Sequence, residues 1–443
     1  MSIGLGEHFG YGKLLRFVLP SIIMMIFTSV YGVVDGLFIS NFVGKTAFAS
    51  VNFILPVTMG MSAVGFMIGA GGSALVAKTL GEGNHQLANR FFSLFLFFTI
   101  VCGVVLTTIG LVFIEPLVVF MGATDQMIEP AVTYGRILMV SVTAFMVQNF
   151  FQTFFVVAEK PKLGLYVIVL AGVTNMVLDA LFVAVFRWGI VGAAFATAIS
   201  QFVGAIVPVI YFCRPNSSLL KLCKTKWYGK AILKTITNGS SELLTNISMS
   251  VVNILYNAQL LRYIGENGVA AYGTIMYVNF IFIAIFLGYS MGSAPLFGFN
   301  YGAKNHNELK NLLKKSIILV GLTGVCLLGM AVLLSHPLSQ IFVGYDNELF
   351  ELTKHAFKIY ALSFLFNGFN IFASAFFTAL NNGLVSAILS FLRMFLFQVV
   401  CVFALPALFG IEGIWFSVSV AELLCLFVSV AFVVKNRKKY NYM

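Results

Sequence analysis

The residues in this chain that could do chemistry are few, and most lie where charge is costly. Of its 16 acidic residues, Asp35, Asp179, Glu242 and Glu422 fall well inside long apolar runs. A charge at the centre of a bilayer costs at least ~2.5–3.5 kcal/mol, so such residues face a polar pathway or a partner. Asp35 and Asp179 also share a depth. Each lies about five or six residues from the end of its run, roughly 8–10 Å down at ~1.5 Å per residue. Asn175 is one helical turn below Asp179, on the same face. Thr197 reaches nearly the same level in the following run. Two carboxylates, an amide oxygen and a hydroxyl at one depth form a set of hard oxygens. The set suits Na⁺. It equally suits a shared proton, because neighbouring carboxylates push one another toward protonation. The alternative is that each acid bonds a neighbouring helix separately as structural glue. The common depth favours a cation site at Asp35, Asn175, Asp179 and Thr197.

Other polar residues form stripes. Glu242, Asn246, Ser250, Asn253 and Asn257 trace one face of a helix. Gln148 and Gln152 recur in the second half of the chain as Asn370 and Ser374, with Asn367 and Thr378 nearby. These stripes are expected to line a wet central cleft. Interhelical hydrogen bonds of about 0.6–2 kcal/mol each would be the structural alternative. Glu422 sits near the depth of Arg393, and a structural ion pair is expected there. The six cysteines show no C-x-x-C and no paired spacing, so neither disulfides nor a metal site is expected. No nucleophile–base pair and no phosphate loop appears. An enzyme or an ATP-driven pump is therefore poorly supported, and no cofactor is expected beyond a coupling ion, H⁺ or Na⁺.

The elements that must position these residues are helices in a membrane. The 443 residues are 60% hydrophobic and only 10% charged, against about a quarter charged in a soluble domain. Apolar runs long enough to cross a bilayer are predicted near 14–40, 51–78, 90–114, 132–157, 163–185, 190–213, 232–261, 269–299, 315–335, 352–378, 385–407 and 411–434. The first lacks a small-residue cleavage site and reads as a retained helix. Alternation every second residue, the mark of a membrane barrel, is missing. The fold class is thus all-α integral membrane, with twelve transmembrane helices.

The chain also repeats itself. Gly81-Glu82-Gly83-Asn84-His85 returns as Gly302-Ala303-Lys304-Asn305-His306, and Gly189-Ile190 returns as Gly410-Ile411, both at an offset of 221. That is half the length. Parallel halves with a site between them are a transporter architecture. The halves divide at 1–215, an N-terminal lobe with the cation site, and 216–443, a C-terminal lobe that includes the basic linker before span 7. At the repeat offset Asp179 falls on Val400, Asn175 on Leu396 and Asp35 on Tyr256 or, with a local shift, Asn253, so the coupling set is expected only in the first half. Lys and Arg crowd the middle linker (Arg214 to Lys234), the tail (Lys435 to Lys439) and the loop after span 8. Glu115, Asp125, Glu129, Asp346, Glu348 and Glu351 occupy the other side. The asymmetry predicts cytoplasmic termini in the cell membrane. It also accounts for the net charge of +11 without nucleic acid.

At these residues the chain resembles the multidrug and toxin extrusion family. Pro20 and Asp35 in LPSIIMMIFTSVYGVVDGLFISNFVG look like that family's first helix. TNMVLDALF, with Asn175 and Asp179, looks like its fifth. GIVGAAFATAISQ, with Thr197, looks like its sixth, and GSAPLFGFNYGAKN resembles the eighth helix and following loop. The resemblance implies a V of two six-helix lobes that expels organic cations in exchange for Na⁺ or H⁺, with Pro20 as a hinge in the first helix. Some members place coupling acids in the C-terminal lobe; here spans 7, 8 and 10 offer only Glu242. The expected partners are amphipathic organic cations and membrane lipid, with the chain acting as a monomer. A lipid-linked or oligosaccharide flippase is the alternative. The predominance of intramembrane acids favours the cationic substrate.

Overall fold

The computed structural model describes residues 3–443 apart from 44, 122 and 124, and only the backbone of 37, 40, 41, 45–49, 52 and 53. In hydrocarbon every backbone group must be bonded within the protein, which leaves long apolar segments no choice but the helix. Fourteen helices follow: α1 Tyr11–Phe38, α2 Lys45–Gly81, α3 His85–Phe120, α4 Asp125–Val157, α5 Pro161–Asp179, α6 Gly189–Cys213, α7 Gly229–Tyr263, α8 Glu266–Gly302, α9 His306–Val343, α10 Asn347–Ala361, α11 Phe364–Ala379, α12 Gly383–Phe391, α13 Phe397–Phe409 and α14 Ile411–Tyr440. No strand occurs among the described residues.

Ten segments are long and apolar enough to cross a membrane, and α10 with α11 form an eleventh, bent by 47°. Helices α12 and α13 are one of the ten, continuous through a π-helical turn at Leu392–Leu396. Helix α7 supplies the twelfth crossing by length, at 35 residues. Its hydropathy is diluted by the stripe that begins at Glu242. The predicted spans all appear, extended by several residues at most ends.

The repeated sequence motifs are turns. Asn84 caps α3 by accepting from the Leu87 N–H at 3.0 Å, and Asn305 caps α9 by accepting from the Glu308 N–H at 3.2 Å. Each follows a residue in the left-handed region, Gly83 at φ +80° and Lys304 at +54°. Gly189 and Gly410 both stand at φ +60°, where a side chain would be strained, and start α6 and α14.

The two halves meet through glycines at the end of the bundle that carries the excess of lysine and arginine. A Cβ on Gly81 would lie 2.0 Å from the Phe299 carbonyl oxygen, and one on Gly302 would lie 2.0 Å from that of Lys78. Gly71 and Gly239 bring α2 onto α7 in the same way, against Thr235 and Met67. The equivalent contact sets Gly288 and Gly292 of α8 against Val18, Ser21 and Ile22 of α1. Asn381 ties the second half to α2 by donating to the Ala74 carbonyl at 3.2 Å and accepting from Asn238 at 2.6 Å. The segment before α1 lies across this closed end. Leu5 N–H donates to Glu159 at 2.6 Å in the first half, while Glu308 takes the Phe9 N–H at 3.0 Å and the His8 ring at 2.6 Å in the second.

Candidate functional site

The site begins with a glycine. Gly172 of α5 leaves room for the rings of Phe27 and Tyr31 on α1, which a Cβ would meet at 2.4 and 3.2 Å. That approach brings Asp35, one turn beyond Tyr31, onto the face of α5 that carries Asn175 and Asp179. Both helices then change pitch. Ile39–Val43 and Ala180–Val185 are π-helical, and Asp179 is the last residue before the second stretch. Such turns widen the helix and mark functional positions. Thr197 enters from α6, where its hydroxyl accepts from Asn175 Nδ2 at 3.4 Å.

The four predicted residues therefore converge. The Asp35 carboxylate faces Asp179, Asn175 and Thr197 near hydrogen-bonding range. Asp179 is 0% exposed and Asn175 1%. Asp35 Oδ1, Asn175 Oδ1 and both carboxylate oxygens of Asp179 are buried without a hydrogen-bond donor. Buried acceptors are normally satisfied, and two facing carboxylates cannot both stay ionised without a counter-charge. The donor set of four hard oxygens fits a single proton between the acids or a bound Na⁺. Tyr134 of α4, 0% exposed, presents an unpaired hydroxyl beside both acids. Sequence reasoning missed it.

The second half holds no such pair. At the equivalent of Asp35, the Tyr256 hydroxyl donates to Gln398 at 3.0 Å, a neutral link. Val400 and Leu396, in the places of Asp179 and Asn175, are 50% and 40% exposed and apolar. The buried charge there is instead the ion pair of Arg393 and Glu422, at 2.8 Å. Arg393 lies in the third π-helical stretch. Asn370 Nδ2 donates to the Glu422 side chain at 2.8 Å, and the Asn367 amide lies 2.8 Å from the same carboxylate, which its nitrogen satisfies once the amide is assigned with the nitrogen on that side. Glu242 on α7 faces Arg393 from across the half.

The polar stripes divide. On α7, Glu242, Asn246, Ser250 and Asn253 are half-buried, as residues along an open face should be. Asn370 and Ser374 make their side-chain hydrogen bonds within the second half. The Glu422 carboxylate and Ser429 hold Asn370, and Ser374 bonds Ser386 and Ser390 at 2.9 Å, so both are consumed inside the half. Gln148 and Gln152 line a small cavity within the first half, and the Oε1 atom of each is buried without a hydrogen-bond partner. Both residues are 3% exposed, and Gln148 presses into the gap left by Gly204 of α6. Pro20 lies inside α1, beside the contact with Gly288.

Two structurally equivalent helical halves, closed at one end and carrying a buried pair of carboxylates in one of them, define a multi-pass membrane transporter. The family model described as MatE matches residues 20–181 and 243–403, one segment in each half. The chain belongs to that family. It is 24% identical to the multidrug export protein MepA of Staphylococcus haemolyticus (strain JCSC1435), over 97% of this chain and 94% of the relative. Its fold matches a solved MATE in complex with MaL6 with a TM-score of 0.94 at 21% identity, covering 99% and 98% of the two chains. It matches an outward-facing multidrug resistance MATE transporter of the MOP superfamily at 0.93, with 22% identity and the same coverage.

Proposed function

We propose that the protein is a multidrug efflux antiporter that expels amphipathic organic cations in exchange for H⁺ or Na⁺ by alternating access. The observation that carries this reading is the facing pair Asp35 and Asp179, with four buried oxygens that lack donors. A cation arriving there cancels a charge that an organic cation would otherwise feel. Exchange then follows from competition, with no enzymatic step and no cofactor besides the coupling ion. The resemblance to MepA supports the substrate class. The flippase reading is disfavoured because Arg393, deep in its span, is neutralised by Glu422 and is not free to hold a lipid phosphate inside the bundle.

In this reading the lobes 1–215 and 216–443 rock as units about the cleft lined by α7, in a monomer in the cell membrane. The lysine-rich end, with both termini, faces the cytoplasm. The test is export of an ethidium-like dye by everted vesicles under an imposed H⁺ or Na⁺ gradient. Gradient-dependent uptake that is lost in Asp35→Asn and Asp179→Asn is expected. Uptake indifferent to both gradients would overturn the proposal.

A further inference from the structure

A second site lies at the lysine-rich end of the second half, away from the carboxylate pair. Lys310, Lys314, Ile317 and Ile318 of α9 follow one another at i, i+4, i+7 and i+8, on one helix face. The two lysines stand nearer the end of the bundle, and the two isoleucines point further into the span. With Leu313, Tyr442 and Met443 they line a groove of about 320 Å³.

The far wall is fixed. Asn441 adopts φ +53° and turns the chain back after α14. The Tyr442 hydroxyl then donates to the Val433 carbonyl at 2.8 Å, and its ring packs edge-on against Phe376 at 5.0 Å. The near wall is open: Lys310 and Lys314 are exposed, and Ile317 and Ile318 are 38% and 39% exposed. Lys315, one residue on, is engaged with the Phe9 carbonyl at 2.5 Å. Lys310 and Lys314 take part in no ion pair among the described residues.

Two uncommitted cations above an apolar ladder, beside the anchored ring of Tyr442, match a molecule with an anionic head and a hydrocarbon tail. We propose that this groove binds an anionic glycerophospholipid, with the phosphate between Lys310 and Lys314 and an acyl chain along Ile317 and Ile318. Basic pockets at membrane level recognise such headgroups, and each lysine near the surface contributes about 1 kcal/mol. A free phosphate would leave the isoleucine ladder uncovered. A neutral lipid would leave both cations without a counter-charge.

The test is native mass spectrometry of the full chain released from nanodiscs of equal phosphatidylglycerol and phosphatidylcholine. Preferential retention of phosphatidylglycerol is expected, falling about thirtyfold in Lys310→Ala/Lys314→Ala, in line with about 1 kcal/mol for each of the two lysines. It should persist in Lys435→Ala/Lys438→Ala, which removes the same charge from α14. The single charge reversal Lys310→Glu should repeat the loss, which guards against misfolding of the double variant. Equal retention of the two lipids, an equal loss in the α14 variant, or displacement of the lipid by inorganic phosphate alone would each overturn the assignment.

Discussion

Gly81 and Gly302 are the same position in the two halves, and each sits where the other half's backbone leaves no room for a side chain. Gly81 meets Phe299, and Gly302 meets Lys78; these partners are themselves equivalent at the offset of 221. The contact is therefore pseudo-symmetric about the axis between the lobes. Its closeness depends on the absence of two Cβ atoms.

A side chain at this contact should open the lysine-rich end. In Gly302→Val, a Cβ placed 2.0 Å from the Lys78 carbonyl must force α8 away from α2. In a background without native cysteines, Ala77→Cys is 0% exposed in the parent geometry and should be unreactive to polar thiol reagents. Reaction rates that rise by an order of magnitude in the Gly302→Val background are the expected result. Unchanged protection would mean that other contacts hold this end closed.

Accessibility should also separate the polar stripes. Cysteines at 246 and 250 on α7 are expected to react with small charged thiol reagents. Cysteines at 148 and 370 should not, because Gln148 and Asn370 are packed inside their halves at 3% and 1% exposure. Equal reactivity of all four would return Gln148 and Asn370 to the cleft.

The ion pair in the second half should matter to stability more than to coupling. Removing one partner of a buried pair leaves an uncompensated charge, at a cost of about 3–5 kcal/mol. Arg393→Leu or Glu422→Leu should thus lower the detergent melting temperature, and the double variant should recover much of the loss. Two single losses that simply add in the double variant would show that the charges do not sense each other.

The fold was legible because hydropathy and the 221-residue offset are one-dimensional signals. The convergence of Asp35, Asn175, Asp179 and Thr197 was legible because helix rise converts sequence position into depth. What was not legible was direction around the helix. Gln148, Asn370 and Ser374 have the composition of cleft residues, but their orientation is set by Gly204, Glu422 and Ser386, which arrive from other helices. Tyr134 escaped notice for the same reason: nothing along its own helix announces the two acids it faces. The role of Gly81 was half visible, since repetition marked it as special without showing that it meets the other half.

The segment before α1 should loosen as pH rises. Burial pushes the Glu159 carboxyl above its ordinary value of 4.5, and nearby Glu7 adds to this, while the Leu5 N–H and Lys160 partly offset it. When the segment lifts away, Glu159 returns to water and to its ordinary value. The strapped arrangement is then favoured fully below about pH 4.5 and weakened as pH climbs through the raised value. A spin label at position 3 should become more mobile over that range. Glu159→Gln, which keeps an oxygen for the Leu5 N–H, should flatten the response. A label insensitive to pH in the parent would remove Glu159 as the titrating tether.

The final expectation concerns exchange itself. If ion and organic cation compete, each must weaken the other by the same factor, and couplings of this kind are typically about 5–150-fold. A cation between Asp35 and Asp179 removes the charge that attracts the substrate. Dye binding at equilibrium should therefore tighten as pH rises or Na⁺ falls, and Asp35→Asn should abolish that dependence. A flat response in the parent would show that coupling does not run through competition at this pair. The hinge can be separated from the site. Pro20 removes a backbone hydrogen bond from α1 at the level where Ser21 and Ile22 rest on Gly288, far along the helix from Asp35. Bending there would let α1 shift against α8 when the acids are neutralised. Pro20→Ala restores the missing N–H without touching any of the four oxygens. It should slow turnover severalfold while leaving dye affinity nearly unchanged, whereas equal losses in both would exclude bending as the step that links ion arrival to substrate release.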